Sequence, residues 1–146
     1  MRRLTLALVV VLAACGCATP TPAPSDDPTG PPGDGSIVFG MAFSEVASAI
    51  TAPSATFPRG YAGIVWFIAS FSEPPGAPSV VVTVTRGSGE SAAQAWSHPT
   101  AIADPQVPRL ADGRSLAELG ALEPGAYVMR ITQGTTVLAE GRFEVE

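Results

Sequence analysis

Short runs of alternating apolar and polar residues follow one another from Ser36 to Glu146. Prolines and glycines separate these runs, and no run keeps the period of three to four residues that is typical of a helix. Because successive side chains of a strand point to opposite faces, alternation with a period of two indicates strands. The pattern therefore predicts an all-β fold for residues 36–146.

The first run predicts a strand with four large side chains on one face. These side chains are Ile37, Phe39, Met41 and Phe43, and they alternate with smaller residues. Residues 44–56 fit either a ragged strand or a brief helix, and prolines limit the length of both.

Residues 61–71 form the most apolar segment after position 35. Large side chains fall on both faces of this predicted strand, so both faces require cover. In a sandwich the opposed sheet covers one face, and the second meets a loop, the preceding segment or a partner. Trp66 and Tyr61 are therefore candidate interaction residues. Residues 80–85 are rich in β-branched side chains and predict the next strand.

Residues 91–112 are the least regular part of the region, with Trp96 and Ile102 as the expected anchors. Three prolines argue against long strands or helices here: Pro99, Pro105 and Pro108. Function often lies on long loops, so this segment is a candidate binding loop and Trp96 a candidate interaction residue.

The last forty residues contain a hairpin signal. Apolar side chains alternate over residues 127–131, Gln133-Gly134 predicts the turn, and alternation resumes over residues 137–145. Gly141 lies inside the return strand and predicts a β-bulge.

The start of this hairpin carries a leucine followed by Pro-Gly-x-Tyr, in residues 122–127. This motif resembles the corner of immunoglobulin-like and fibronectin-like β-sandwiches, in which a tyrosine hydroxyl bonds to the backbone just upstream. The resemblance implies a single antiparallel sandwich with Tyr127 as the structural corner. The region lacks the paired core cysteines of antibody domains, so a generic bacterial immunoglobulin-like domain fits better.

The N-terminal segment has the pattern of an export signal. Arg2 and Arg3 precede an apolar run over residues 4–14, which is shorter than the roughly twenty residues of a membrane-spanning helix. The run ends in Leu12-Ala13-Ala14-Cys15, which resembles the lipobox of bacterial lipoproteins.

The lipobox resemblance implies that signal peptidase II recognises Leu12, Ala13 and Ala14 and cleaves before Cys15, whose thiol receives a diacylglycerol. The mature chain would then be anchored in a lipid bilayer. The alternative is ordinary cleavage near residues 16–18, which leaves a soluble secreted protein.

A linker follows the predicted acylation site. Residues 18–35 are dense in proline, glycine, threonine and aspartate and contain almost no large apolar side chain, so they predict an extended tether that reaches on the order of 50 Å. The predicted division is a signal peptide over 1–14, an acylation site and linker over 15–35, and one domain over 36–146.

The residue inventory limits the chemistry. After position 14 the chain has six arginines and thirteen acidic residues, so no basic surface for nucleic acid is expected. The predicted domain has one histidine, His98, and no cysteine, so neither a transition-metal site nor a cofactor is expected. The chain has no lysine and no Gly-x-Ser-x-Gly elbow, and a triad using Ser97 and His98 is disfavoured.

These observations predict a non-enzymatic interaction module in the cell envelope, on the outer side of the cytoplasmic membrane or in the outer membrane. Its expected partner is an envelope or extracellular protein, contacted through Trp66, Trp96 or Tyr61. A structural accessory that spaces an envelope assembly is the alternative, and an envelope hydrolase is a weaker third.

Overall fold

The computed structural model describes residues 34–87 and 89–146. The predicted signal peptide, Cys15 and almost all of the predicted linker lie outside the described residues. The strands are β1 (Gly35–Gly40), β2 (Phe43–Ser44), β3 (Ala49–Ile50), β4 (Thr56–Phe57), β5 (Ile64–Ser70), β6 (Ser79–Arg86), β7 (Ala93–Ala101), β8 (Arg109–Ser115), β9 (Gly125–Gln133) and β10 (Thr136–Val145). A 3-10 turn, Gly89–Ser91, precedes β7. None of the described residues belongs to a helix with the length and hydropathy needed to span a bilayer.

The strands form two layers that the first strand joins, and the short strand β4 pairs in parallel with β10. One layer has the order β7-β6-β9-β10 and the other the order β1-β5-β8. The start of β1 pairs in parallel with β10 at Gly35 and Ser36, whereas the whole stretch from Ser36 to Gly40 pairs with β5. The first strand therefore ties the two layers together along one side.

Both layers contribute to one buried core. The second layer supplies the inward side chains of β1, β5 and β8, and the first supplies those of β6, β9 and β10. The largest side chains with almost no exposure are Tyr127, Phe57, Phe67, Leu119, Met129 and Ile131. Because the inward faces of both layers meet in this core, the layers pack face to face. The domain is an immunoglobulin-like antiparallel β-sandwich, which confirms the predicted all-β fold class.

Tyr127 fixes the connection that enters β9. Its side chain is buried, and its hydroxyl donates a hydrogen bond of 2.7 Å to the carbonyl oxygen of Glu123. Its ring stacks on Phe143 of β10 at a centroid distance of 5.3 Å. Arg86 of β6 donates a hydrogen bond of 2.7 Å to the carbonyl of Pro124 in the same turn. The turn is thus held by the core on one side and by the neighbouring strand on the other.

The segment predicted to be irregular, residues 91–112, is largely strand, so that prediction is wrong. It contains all of the nine-residue strand β7 and the start of β8. Pro99 lies inside β7, opposite Val81 of β6. A proline has no N–H to donate, but β7 is the last strand of its layer and pairs on one side only. Pro99 is therefore compatible with a strand at this edge, although prolines in this segment argued against a long strand.

The first strand is shorter than predicted. It ends at Gly40, where a Cβ would lie 2.6 Å from the carbonyl oxygen of Ala52. Ile37 and Phe39 are in the core, but Met41 is exposed and Phe43 belongs to β2. Around Gly40 the chain leaves β5 and pairs with residues 51–54: the N–H of Met41 donates to the carbonyl of Ala52, and that of Ser54 donates to the carbonyl of Phe39.

The bulge in β10 also differs from the prediction. The register with β9 shifts between Val137 and Ala139, so Leu138 is the extra residue and Gly141 is paired regularly with Met129. A Cβ on Gly141 would lie 2.6 Å from the Cβ of Ile37. Glycine is needed here because β1 passes closely over the core side of β10.

Candidate functional site

The strand β5 presents one face to the core and one to the outside. Val65, Phe67 and Ala69 are buried between the layers. Ile64, Trp66 and Ile68 alternate with them and therefore lie on the outer face of the β1-β5-β8 layer. Trp66 is half-buried in this position.

The segment before β5 covers part of this outer face. Phe43 of β2 stacks on the Trp66 ring, with 4.9 Å between centroids and 19° between planes. On the side of β8, a Cβ at Gly113 would lie 2.8 Å from Cε3 of Trp66. The Trp66 indole therefore packs against the backbone of β8 at Gly113 and against the ring of Phe43.

Other apolar side chains on the same face stay open to solvent. Val38 of β1 is 51% exposed and Ile64 of β5 is 39% exposed. Val38 pairs with Ile68 of β5. Trp66 lies between Ile64 and Ile68 on the same face of β5. We call Val38, Phe43, Ile64, Trp66 and Ile68 the Trp66 surface.

A cavity of about 310 Å³ adjoins the Trp66 surface at Phe43. Its lining includes the apolar residues Ala111 and Val107, the latter exposed, and the charged residues Asp104 and Arg109. The Arg109 guanidinium donates a hydrogen bond to the carbonyl oxygen of Ser48, which joins β8 to the hairpin that carries Phe43. The cavity is therefore lined by both apolar and charged side chains.

Trp96 and Tyr61 lie elsewhere, so the three candidate interaction residues do not form one surface. Trp96 is on β7 opposite Val84, half-buried against the core, and its ring is parallel to that of His98 at 5.8 Å. Tyr61 precedes β5, packs on Phe57 at 5.8 Å between centroids and is half-buried. Only Trp66 is part of an exposed apolar cluster.

Ser97 and His98 do not meet as a nucleophile and a base. Neighbouring residues of a strand point to opposite faces, and the hydroxyl of Ser97 shares a 3.2 Å hydrogen bond with that of Thr83 on the outer side of β6. The imidazole of His98 stacks on Trp96 at the inner side. Within residues 34–87 and 89–146 no three His, Cys, Asp or Glu side chains are grouped as they would be to hold a metal ion.

The sequence pattern alone identifies neither Phe43 as part of the Trp66 surface nor Gly113 as the residue beside its indole. The sequence pattern predicts Phe43 on the same face of a first strand as Ile37 and Phe39, and only the early end of β1 places it on Trp66. A glycine inside a strand is a signal for the close approach of another group, and Gly113 has that role here.

No protein-family model and no curated protein matches this chain. A solved structure of an immunoglobulin-like protein from Pseudomonas aeruginosa is similar to it at 15% sequence identity. The similarity covers 80% of this chain and 100% of the other, with a TM-score of 0.47. Similarity at this level assigns no role to any residue, so the candidate site depends on its own geometry.

Proposed function

We propose that this protein is a non-catalytic binding module held at the cell envelope by a lipid on Cys15. In this proposal the Trp66 surface contacts an envelope or extracellular protein. The observation that carries the binding part is the exposure of Val38 and Ile64 on either side of the aromatic pair Trp66 and Phe43.

Exposed apolar side chains gathered on one sheet face favour a protein partner. Contact with such a partner would remove Val38 and Ile64 from water, which is favourable in proportion to the apolar area buried. Residues scattered singly over a surface would give no such patch. Here both exposed residues belong to neighbouring strands of one layer.

The chemistry of the patch also fits a protein interface. Aromatic residues and arginine are enriched where binding energy concentrates, and Trp66, Phe43 and Arg109 lie close together at this face. The cavity beside Phe43 is concave enough to receive a side chain of the partner.

The anchoring part of the proposal depends on Leu12-Ala13-Ala14-Cys15 alone. A lipid on Cys15 would hold the domain near a membrane, and residues 18–35 would let it reach a partner on the order of 50 Å away. A single acyl chain anchors weakly, but the diacylglycerol expected here supplies two.

Crosslinking in intact cells tests the binding part. The variant carries Val38→Glu and Ile64→Glu, which place two charges on the Trp66 surface at exposed positions. The matched control is Val81→Glu, since Val81 is 37% exposed on the outer side of β6 in the other layer. We expect a discrete crosslinked partner to disappear with the double variant and to remain with the control. Equal capture by both proteins would contradict the proposal.

Further measurements test the anchor, the spacer alternative and the non-catalytic part. Intact-mass analysis of the mature N-terminus should show a diacylglyceryl cysteine, and Cys15→Ser should release the protein from the membrane; an unmodified Cys15 would refute the anchor. Loss of the crosslink only when residues 18–35 are shortened would favour a spacer instead of a binding module. A hydrolytic activity that His98→Ala removes would refute the non-catalytic part.

A further inference from the structure

Two strands of the sandwich have an edge without a neighbouring strand. Among the described residues β7 and β8 end the order of paired strands, and each pairs on one side only. An open edge presents backbone N–H and C=O groups that can pair with a strand of another molecule. Whether the domain stays a single molecule therefore depends on what these groups already bind.

A hydrogen bond beside β8 shows which of its backbone groups face outward. The N–H of Phe71 donates a bond of 2.9 Å to the carbonyl of Pro108. This pair continues the register of β5 with β8, in which Ser70 lies opposite Arg109. Opposite residues of antiparallel strands alternate between bonded and non-bonded pairs. The backbone groups of the even-numbered residues of β8 therefore point to β5, and those of the odd-numbered residues point to the open edge.

Two carboxylates occupy outward N–H groups of β8. Oδ1 of Asp112 accepts a hydrogen bond of 2.8 Å from the N–H of Gly113. Oε2 of Glu118 accepts one of 2.8 Å from the N–H of Ser115. Hydrogen bonds to charged groups are stronger than those to neutral ones, so a backbone carbonyl of an incoming strand would not readily displace either acceptor.

Further contacts hold both carboxylates at the edge. Oδ2 of Asp112 accepts bonds of 3.1 Å and 2.8 Å from Nε and Nη2 of Arg114. Oε2 of Glu118 also accepts a bond of 2.8 Å from the hydroxyl of Ser115, and the hydroxyl oxygen accepts one of 3.2 Å from the N–H of Glu118. Each acceptor is thus fixed beside the N–H group that it occupies.

The edge of β7 is blocked by a proline. The N–H of Ile102 donates a bond of 2.9 Å to the carbonyl of Pro78, and this pair continues the register of β6 with β7. By the same alternation the backbone of Pro99 points to the open edge, where its missing N–H leaves one donor fewer. Both open edges are therefore interrupted, one by a proline and the other by carboxylates.

We propose that Asp112 and Glu118 block the edge of β8 and so prevent it from pairing with a second copy of this chain. The edge is complementary to itself. Around a twofold axis at Gly113, Ala111 of one copy would lie opposite Ser115 of the other, and their outward N–H and C=O groups would match. This edge is separate from the Trp66 surface, which lies on the outer face of the same layer.

Sedimentation equilibrium of the full chain in a density-matched detergent measures the association. The edge variant carries Asp112→Ala and Glu118→Ala. We expect it to self-associate at least about tenfold more tightly than the original protein, because the freed N–H groups find acceptors in the second copy. The control carries Glu140→Ala and Glu144→Ala, which remove two carboxylates where β10 is paired on both sides. It should associate no more than the original protein.

Additional substitutions in the edge variant locate the contact. Ala111→Pro removes an outward donor of β8, as Pro99 does in β7, and should return the variant to the mass of one chain. Val38→Glu with Ile64→Glu should leave the association intact, because these positions lie on the Trp66 surface. Association that survives Ala111→Pro, or that the two glutamates abolish, would overturn the proposal.

Amide hydrogen exchange gives a readout that does not require association. In the original protein the amides of Gly113 and Ser115 should exchange at least about tenfold more slowly than that of Ala111, and Asp112→Ala should remove the protection of Gly113 alone. Equal exchange of the three amides would overturn the proposal. So would an edge variant that keeps the mass of the original protein at all concentrations, or a control that associates as tightly as the edge variant.

Discussion

The two outer faces of the sandwich have opposite chemistry. On the β7-β6-β9-β10 layer, Thr83, Arg130 and Glu140 form a row across three strands. Arg130 and Glu140 make a 2.6 Å ion pair, and Arg142 lies 3.8 Å from the same carboxylate. We call this row with Arg142 the charged face. The equivalent row on the β1-β5-β8 layer holds the Trp66 surface instead.

The outer side chains of the two layers differ in how they are solvated. Side chains on the charged face satisfy one another and the solvent, so this face needs no cover. The Trp66 surface is covered in part by the β2–β3 hairpin and still leaves Val38 and Ile64 open. Solvent alone does not explain an apolar face, because hydration of its side chains is unfavourable. The contrast places the proposed protein contact on one layer.

Removing the Trp66 ring should give the largest loss in the free energy of unfolding. Trp66→Ala deletes a half-buried ring that packs on Phe43 and Gly113, and we expect a loss of about 2 kcal/mol in the free energy of unfolding, less than for a fully buried tryptophan. Arg130→Ala on the charged face should cost less than half of that. Urea denaturation of both variants measures the difference. Equal losses would mean that the two faces contribute alike to stability.

The ion pair of the charged face should give a smaller effect. Arg130 and Glu140 retain side-chain exposures of 32% and 16%, so solvent screens much of their attraction. A double-mutant cycle with Arg130→Ala and Glu140→Ala should give a coupling energy of about 0.5 kcal/mol, reduced by added salt. A coupling larger than the effect of Trp66→Ala would reverse the proposed ranking of the faces.

The turn that connects the layers should give the smallest effect, visible only in acid. Glu118 accepts hydrogen bonds of 2.8 Å from the backbone N–H and the hydroxyl of Ser115, and these bonds, with a contribution from Arg114, lower the pKa of its carboxyl below 4.5. The carboxylate is thus favoured in the folded state. Its stabilisation is present above the unfolded pKa and is lost as the pH falls through the lowered folded value.

Glu118→Gln should abolish that part of the acid dependence of stability. Thermal melting between neutral pH and pH below 4.5 measures both proteins. A variant with the same acid dependence as the original protein would show that the turn contributes nothing through this carboxyl.

The sequence predicted the strands whose alternating apolar pattern agrees with their burial in the folded domain. Strands β5 and β6 form in the runs 61–71 and 80–85, where alternate apolar side chains are buried, and the turn after Gln133 joins paired strands as its glycine indicates. The residues of the lipobox, with Cys15, lie outside the described part, so their role stays a prediction. The sequence pattern did not reveal β7, because Pro99 is acceptable only in a strand with a free edge.

The candidate site was predictable in part. The apolar run around Trp66 indicated that a second face would need cover, and the structure supplies some of it through Phe43. Trp96 was predicted on a binding loop and Tyr61 at the start of the apolar run 61–71, but both are partly buried and pack against the core. Size does not distinguish an interface residue from a core residue, since both kinds of site use large aromatic side chains.

By itself the sequence determined which side chains of each main strand share a face, because the period of two is a local property of the backbone. The tertiary structure alone decided which strands lie at the edges and what covers each outer face. Those outcomes depend on contacts between remote segments, such as Phe43 with Trp66 and Gly141 with Ile37. Such contacts follow from the order of strands in the layers, which no local pattern of residues encodes.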